Sequence, residues 1–216
     1  MNIKMMVFAL LVATSGVTTS AYAVPLSQGG SLHITFPAPA GDPHLAADAT
    51  FTLSSLSSTT AVLDIIINNN SSGDIGFTDR LTAFGFLTTP PTTSVAWTSF
   101  VAGTNAFQYA DLGGVPNFTQ IENVCTFVGN NCSAGSAGLT AGQTDEFTIT
   151  LGGSFGSTID FSNFAIKWTD CTGCSYEIAG TITPPRVPEP ASLLLLGVGS
   201  LGLAAIGWQK RRNAKA

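Results

Sequence analysis

The sequence predicts an all-β fold, an antiparallel β-sandwich, and three observations carry that prediction. Between the two ends of the chain, apolar and β-branched residues alternate with polar ones at period two. Clusters of Gly, Pro, Asn and Ser separate these runs, and no helical period competes with them. In "SLHITF", Leu32, Ile34 and Phe36 share one side, opposite His33 and Thr35. In "ATFTLS", Phe51 and Leu53 oppose Thr50 and Thr52, and in "TAVLDIII" the apolar face is Ala61, Leu63, Ile65 and Ile67. "DEFTITLGG" aligns Phe147, Ile149 and Leu151, and "SYEIAGTI" aligns Tyr176, Ile178 and Ile182. In "IDFSNFAIKW" the apolar phase slips between Phe161 and Phe164, which predicts a β-bulge near Ser162 or Asn163. Short strands between tight turns fit a jelly-roll or immunoglobulin-like sandwich filling residues 24–183 as one domain.

The ends of the chain obey different rules. Lys4, a short apolar run from Met5 to Ala13 and the "AYA" triplet form a signal peptide over residues 1–23, with Ala21 and Ala23 setting the cleavage site. Residues 184–190, "PPRVPEP", are too proline-rich for a helix and form an extended stalk. Residues 191–208 carry no charge, and as a helix they would span about 27 Å, close to the thickness of a bilayer's hydrocarbon core. The tail 209–216 has basic Lys210, Arg211 and Arg212 beside the apolar run, a stop-transfer signal that puts this end in the cytoplasm. The predicted chain is exported through the Sec translocon and tethered by one C-terminal transmembrane helix.

Taken in order, "VPEPASLLLLG", the apolar run and the basic tail resemble the PEP-CTERM sorting signal of Gram-negative bacteria. That resemblance implies recognition by an exosortase, a membrane-embedded cysteine transpeptidase-like enzyme. Pro188, Glu189 and Pro190 would be its substrate residues, and the helix would be removed. It further implies an inner-membrane-tethered precursor and a product at the cell surface or in an exopolysaccharide (biofilm) matrix. A second resemblance runs from about Thr50 to Lys167, through "RLTAFGFLTTPP" and "VCTFVGNNCSAGSAGLTAGQTDEFTITL", to the cistern family of small PEP-CTERM proteins. It implies a surface or matrix protein and supplies no catalytic residue.

Charge narrows the function. Only 10% of the chain is charged, and Val24–Val187 sets twelve acids against Arg80, Lys167 and Arg186, 3 − 12 = −9. Such a surface repels nucleic acid, which is excluded as a partner. An exported chain with four cysteines predicts disulfides among Cys125, Cys132, Cys171 and Cys174. Three pairings are open, and the local ones, Cys125–Cys132 and Cys171–Cys174, are favoured. Zinc at the C-x-x-C fits poorly with the wider first pair, so no metal or cofactor is expected.

Catalytic patterns are sparse. His33 and His44 read as exposed or hydrogen-bonded imidazoles. Asp145 and Glu146, adjacent on a strand, point to opposite faces and cannot act as a pair. Calcium could be held by Asp42 and Asp48, or by Asp74 and Asp79, but neither stretch has an EF-hand pattern. The leading expectation is a non-enzymatic surface or matrix protein. The alternative is a carbohydrate-binding module in which Trp97, Tyr109 or Trp168 stacks on sugar rings of an extracellular polysaccharide.

Overall fold

The structure is a computed structural model that describes residues 23–72, 79–118, 120, 122–129, 132, 137–169 and 175–183. Most of the signal peptide, the stalk, the apolar run and the basic tail lie outside the described residues. Cys171, Cys174 and Asp74 do as well.

The described residues hold no helix and form two antiparallel six-stranded sheets. The first contains β1 (Val24–Leu26), β5 (Arg80–Thr89), β7 (Tyr109–Leu112), β8 (Val124–Phe127), β10 (Ile159–Thr169) and β11 (Ser175–Ala179), in the order β1-β10-β5-β8-β7 with β11 also on β10. The second contains β2 (Ser31–Phe36), β3 (Ala47–Leu56), β4 (Thr60–Asn69), β6 (Thr92–Gly103), β9 (Thr144–Gly153) and β12 (Thr181–Thr183), in the order β12-β2-β3-β4-β9-β6.

The second sheet has one solvated face, and its strands show the predicted alternation. Leu32, Ile34 and Phe36 are buried while Ser31, His33 and Thr35 are exposed. In β4, Ala61, Leu63, Ile65 and Ile67 are buried and the residues between them half-buried. These inner residues meet the inner face of the first sheet through phenylalanines. Phe51 lies 5.0 Å from Phe84 and 5.3 Å from Phe164, ring centre to ring centre, and makes an edge contact with Phe86. Each such pair contributes about 0.5–1.5 kcal/mol beyond the area it removes from water. The predicted bulge is present: the β10–β5 register slips between Ser162 and Ala165, and Asn163 takes φ +51°.

The first sheet differs because its central strands β5, β8 and β10 are covered on both faces. Ala83, Cys125, Phe127 and Ala165 turn away from the main core and pack with Val115, Phe118 and Cys132 into a second cluster. In β5 and β8, burial therefore runs almost without a break along the strand.

The registers also define two ends. Leu26 pairs with Ile159, Leu56 with Ala61, Thr60 with Gly152, Thr89 with Asp160 and Thr92 with Gly153. The connections β1–β2, β3–β4, β5–β6 and β9–β10 thus gather at one end, here the turn end. The connections β2–β3, β4–β5, β6–β7 and β8–β9 leave from the other, the loop end.

Candidate functional site

The sorting segment leaves the body through a strand that changes sheets. β11 pairs with β10, Ile166 opposite Ile178, and β12 pairs with β2, Ile34 opposite Ile182. Gly180 is the crossing point, its N–H donating to the Phe164 carbonyl at 2.7 Å. A Cβ there would sit 2.5 Å from Ile34 Cγ2 and 2.7 Å from Phe36 Cε1, so only glycine lets the chain pass between the sheets. Tyr176, Ile178 and Ile182 pack against the core on either side of the crossing. The sequence read this stretch as one apolar run; the structure divides it between two sheets.

β12 fixes the direction of exit. It runs antiparallel to β2, with Thr181 opposite Thr35 and Thr183 opposite His33, so the chain heads for the turn end. Pro188 follows Thr183 by 188 − 183 = 5 residues. Even fully extended at about 3.6 Å per residue, five residues reach only about 18 Å. An enzyme gripping Pro188, Glu189 and Pro190 must work close against the folded body. Those three residues, with Lys210, Arg211 and Arg212, lie outside the described residues, as does Ala21; Ala23 is exposed immediately before β1.

The cysteine expectation meets the structure at one pair. Cys125 and Cys132 form a disulfide with Cα atoms 6.3 Å apart. Beside it, on the outer face of the first sheet, stands a residue that the sequence reading did not single out. Glu122 is buried; its Oε2 accepts the Val115 N–H at 2.6 Å, and its Oε1 has no hydrogen-bond partner. Gly85 opens the space, since a Cβ there would lie 2.5 Å from Glu122 Oε2. Burial pushes this carboxyl up from 4.5 to about 7, against the opposing pull of the Val115 N–H. Lys167, also buried, is paired with Glu177 at 2.7 Å and is accounted for as structure.

The proposed sugar platforms separate by exposure. Trp168 is wholly buried in the core and cannot meet a glycan, which corrects that expectation; its strand carries Phe164 and Ile166 inward as well. Trp97 is half-buried, its indole N–H donating to the Phe107 carbonyl at 3.0 Å. Tyr109 is 47% exposed and stacks on Phe127 with ring centres 5.6 Å apart.

The remaining polar candidates have partners of their own. His33 Nδ1 lies 3.4 Å from Thr50 Oγ1, and His44 Nδ1 lies 3.0 Å from Ser72 Oγ. Asp42 accepts the His44 N–H, and Asp48 accepts from the side chains of Asn68 and Asn70. Asp79 is buried with no hydrogen-bond partner for either carboxylate oxygen. Among the described residues, no three His, Cys, Asp or Glu side chains are grouped to hold a metal ion. Asp145 is buried and Glu146 half-buried on alternate faces of β9, as expected of neighbours on a strand.

No curated protein and no solved structure matches the chain. Residues 186–212 match the family model described as the PEP-CTERM protein-sorting motif, which indicates an exported, membrane-anchored precursor sorted by an exosortase to the cell surface.

Proposed function

We infer that the protein is a non-enzymatic component of the cell surface or of an extracellular polysaccharide matrix in a Gram-negative bacterium. In this reading its β-sandwich is the cargo and Pro188–Pro190 the point at which the cargo is separated from its anchor. The observation that carries it is the sorting motif at residues 186–212, which starts three residues after the last strand ends at Thr183. Replacing Pro188, Glu189 and Pro190 by alanine leaves the apolar run intact, so the variant should accumulate uncleaved in the inner membrane. Intact mass decides it: a native surface-extracted protein that retains Ala191–Ala216 in a host carrying an exosortase excludes the sorting reading.

A second reading, a carbohydrate-binding module, is favoured by one observation, the exposed ring of Tyr109 braced on Phe127. Stacking on a sugar would make Tyr109→Ala abolish retention on a polysaccharide column while leaving the melting temperature nearly unchanged. Unaltered retention would leave the matrix role without this contact.

A further inference from the structure

The acidic body keeps charge away from one of its ends. Four connections at the turn end, Ser27–Gly30, Ser57–Thr60, Thr89–Thr92 and Gly153–Thr158, carry no charge; the β7–β8 connection also leaves on this side, and its one acid, Glu122, is buried. Gln28, Ser58, Thr59, Pro91, Ser154 and Ser157 are exposed there. Backbone hydrogen bonds join the turns into one surface. Gly29 N–H donates to Leu53 O at 2.7 Å, Gly153 N–H to Thr59 O at 3.1 Å and Phe155 N–H to Ser58 O at 2.9 Å. The acid nearest by register is Asp160, half-buried in β10 opposite Thr89. At and near the loop end stand Asp42, Asp48, Asp79, Asp145, Glu146 and Glu177.

The chain leaves toward the uncharged end. From Thr183 only residues 184–190 separate the last strand from the apolar run that starts at Ala191. Seven extended residues reach about 25 Å at most. The ten-residue strands β3, β4 and β9 carry the loop end about 33 Å further along the sandwich. Near headgroup phosphates, acids within a Debye length of about 8 Å are repelled. Hydroxyl, amide and glycine surfaces are not, and they can hydrogen-bond to headgroup phosphates.

We propose that the turn end is the membrane-facing surface of the tethered precursor and rests against the lipid headgroups, while the loop end and the Cys125–Cys132 disulfide point away. The proposal rests on the reading of residues 191–208 as the anchor, and its test separates the two. The full-length chain is produced in a host without an exosortase, with a photo-crosslinking benzophenone amino acid at Ser58 or Ser154, or at Gln108 or Thr104 of the loop end. All four positions are exposed. Illumination in membranes should give lipid adducts from Ser58 and Ser154, several-fold above those from Gln108 and Thr104. Carbonate extraction of the same samples reads the anchor independently. A precursor retained in the membrane with equal adducts from both ends, or with protein adducts in place of lipid at the turn end, overturns the orientation and leaves the anchor standing. A precursor released by carbonate overturns the anchor and the orientation together.

Discussion

At the turn end, short connections satisfy their backbone groups among themselves. Gly30 N–H donates to Ser27 O at 2.9 Å, and Ser57 Oγ accepts the Thr60 N–H at 2.9 Å. At the loop end the connections are longer, and buried polar side chains do this work instead. Asp145 accepts the N–H groups of Asn105 and Phe107, both at 2.8 Å. Asn69, wholly buried, donates to the carbonyls of Asp79 and Leu139 at 2.6 and 2.7 Å. Part of the charge at the loop end is therefore demanded by folding, because long connections leave buried N–H groups that need acceptors. In the turns of the other end neutral side chains meet this demand, Thr88 Oγ1 accepting the Thr92 N–H at 3.0 Å and Asn123 Oδ1 the Thr88 N–H at 2.9 Å, so no charge is required of them.

The sharpest way to break this contrast is Asp145→Ala. Burial holds the Asp145 carboxyl above its usual range, against the pull of the Phe107 and Asn105 N–H groups, so the site is already costly. Removing it takes the acceptor from the buried Phe107 N–H and from the N–H of exposed Asn105. The expected loss is about 3–5 kcal/mol in a urea titration. Asp145→Asn, which keeps an acceptor, should lose less.

Glu122 sharpens the contrast from the other side, because here a buried acid opposes folding. Its folded pKa is raised, so the folded state holds the proton more tightly than the unfolded chain. Its penalty is absent below pH 4.5, grows as pH rises toward 7 and is complete above that. A shift of this size corresponds to about 3 kcal/mol at most. Glu122→Gln should therefore stabilise the protein at pH 8 by up to about 3 kcal/mol, with little change at pH 4. Equal effects at both pH values would show that the carboxyl does not titrate in this window.

The disulfide should have a smaller effect. Cys125 and Cys132 are seven residues apart, and closing so short a loop restrains little of the unfolded chain. Replacing both by alanine should cost about 2 kcal/mol. A much larger loss would mean that the clip also holds Val115 and Phe118 over the first sheet.

Legibility followed exposure. β2, β3, β4 and β9 could be read from the sequence because one face of each meets water, which imprints period two on the residues. β5 and β8 gave no such pattern, since their outer face is roofed as well: Ala83 and Gly85 by residues some thirty positions on, and Cys125 by Val115, Phe118 and Cys132 of its own flanking connections. The bulge at Asn163 was legible as a slip of phase within ten residues. The crossing at Gly180 was not, because what forbids a side chain there is Ile34, Phe36 and Phe164, all remote in the chain. Glu122 stayed hidden for the same reason. The sorting motif needed no fold to be recognised, since the order of its residues alone carries it.

The smallest expected effect bears most directly on the contrast between the ends. Ser58 and Ser154 are exposed, and what ties this part of the turn end together is the backbone bond from Phe155 N–H to Ser58 O, which a new side chain leaves in place. Changing both to glutamate takes the net charge of Val24–Val187 from −9 to −9 − 2 = −11. At physiological salt the added charges are screened beyond about 8 Å. Melting and urea curves of the double variant should therefore shift by less than about 0.5 kcal/mol, as surface substitutions usually do. A loss of several kcal/mol would make neutrality at the turn end a requirement of folding, and the two ends would differ only in how they are built. A negligible loss means that the fold tolerates charge there, so the absence of charge reflects a constraint from outside the molecule, on the side where the chain leaves for its anchor.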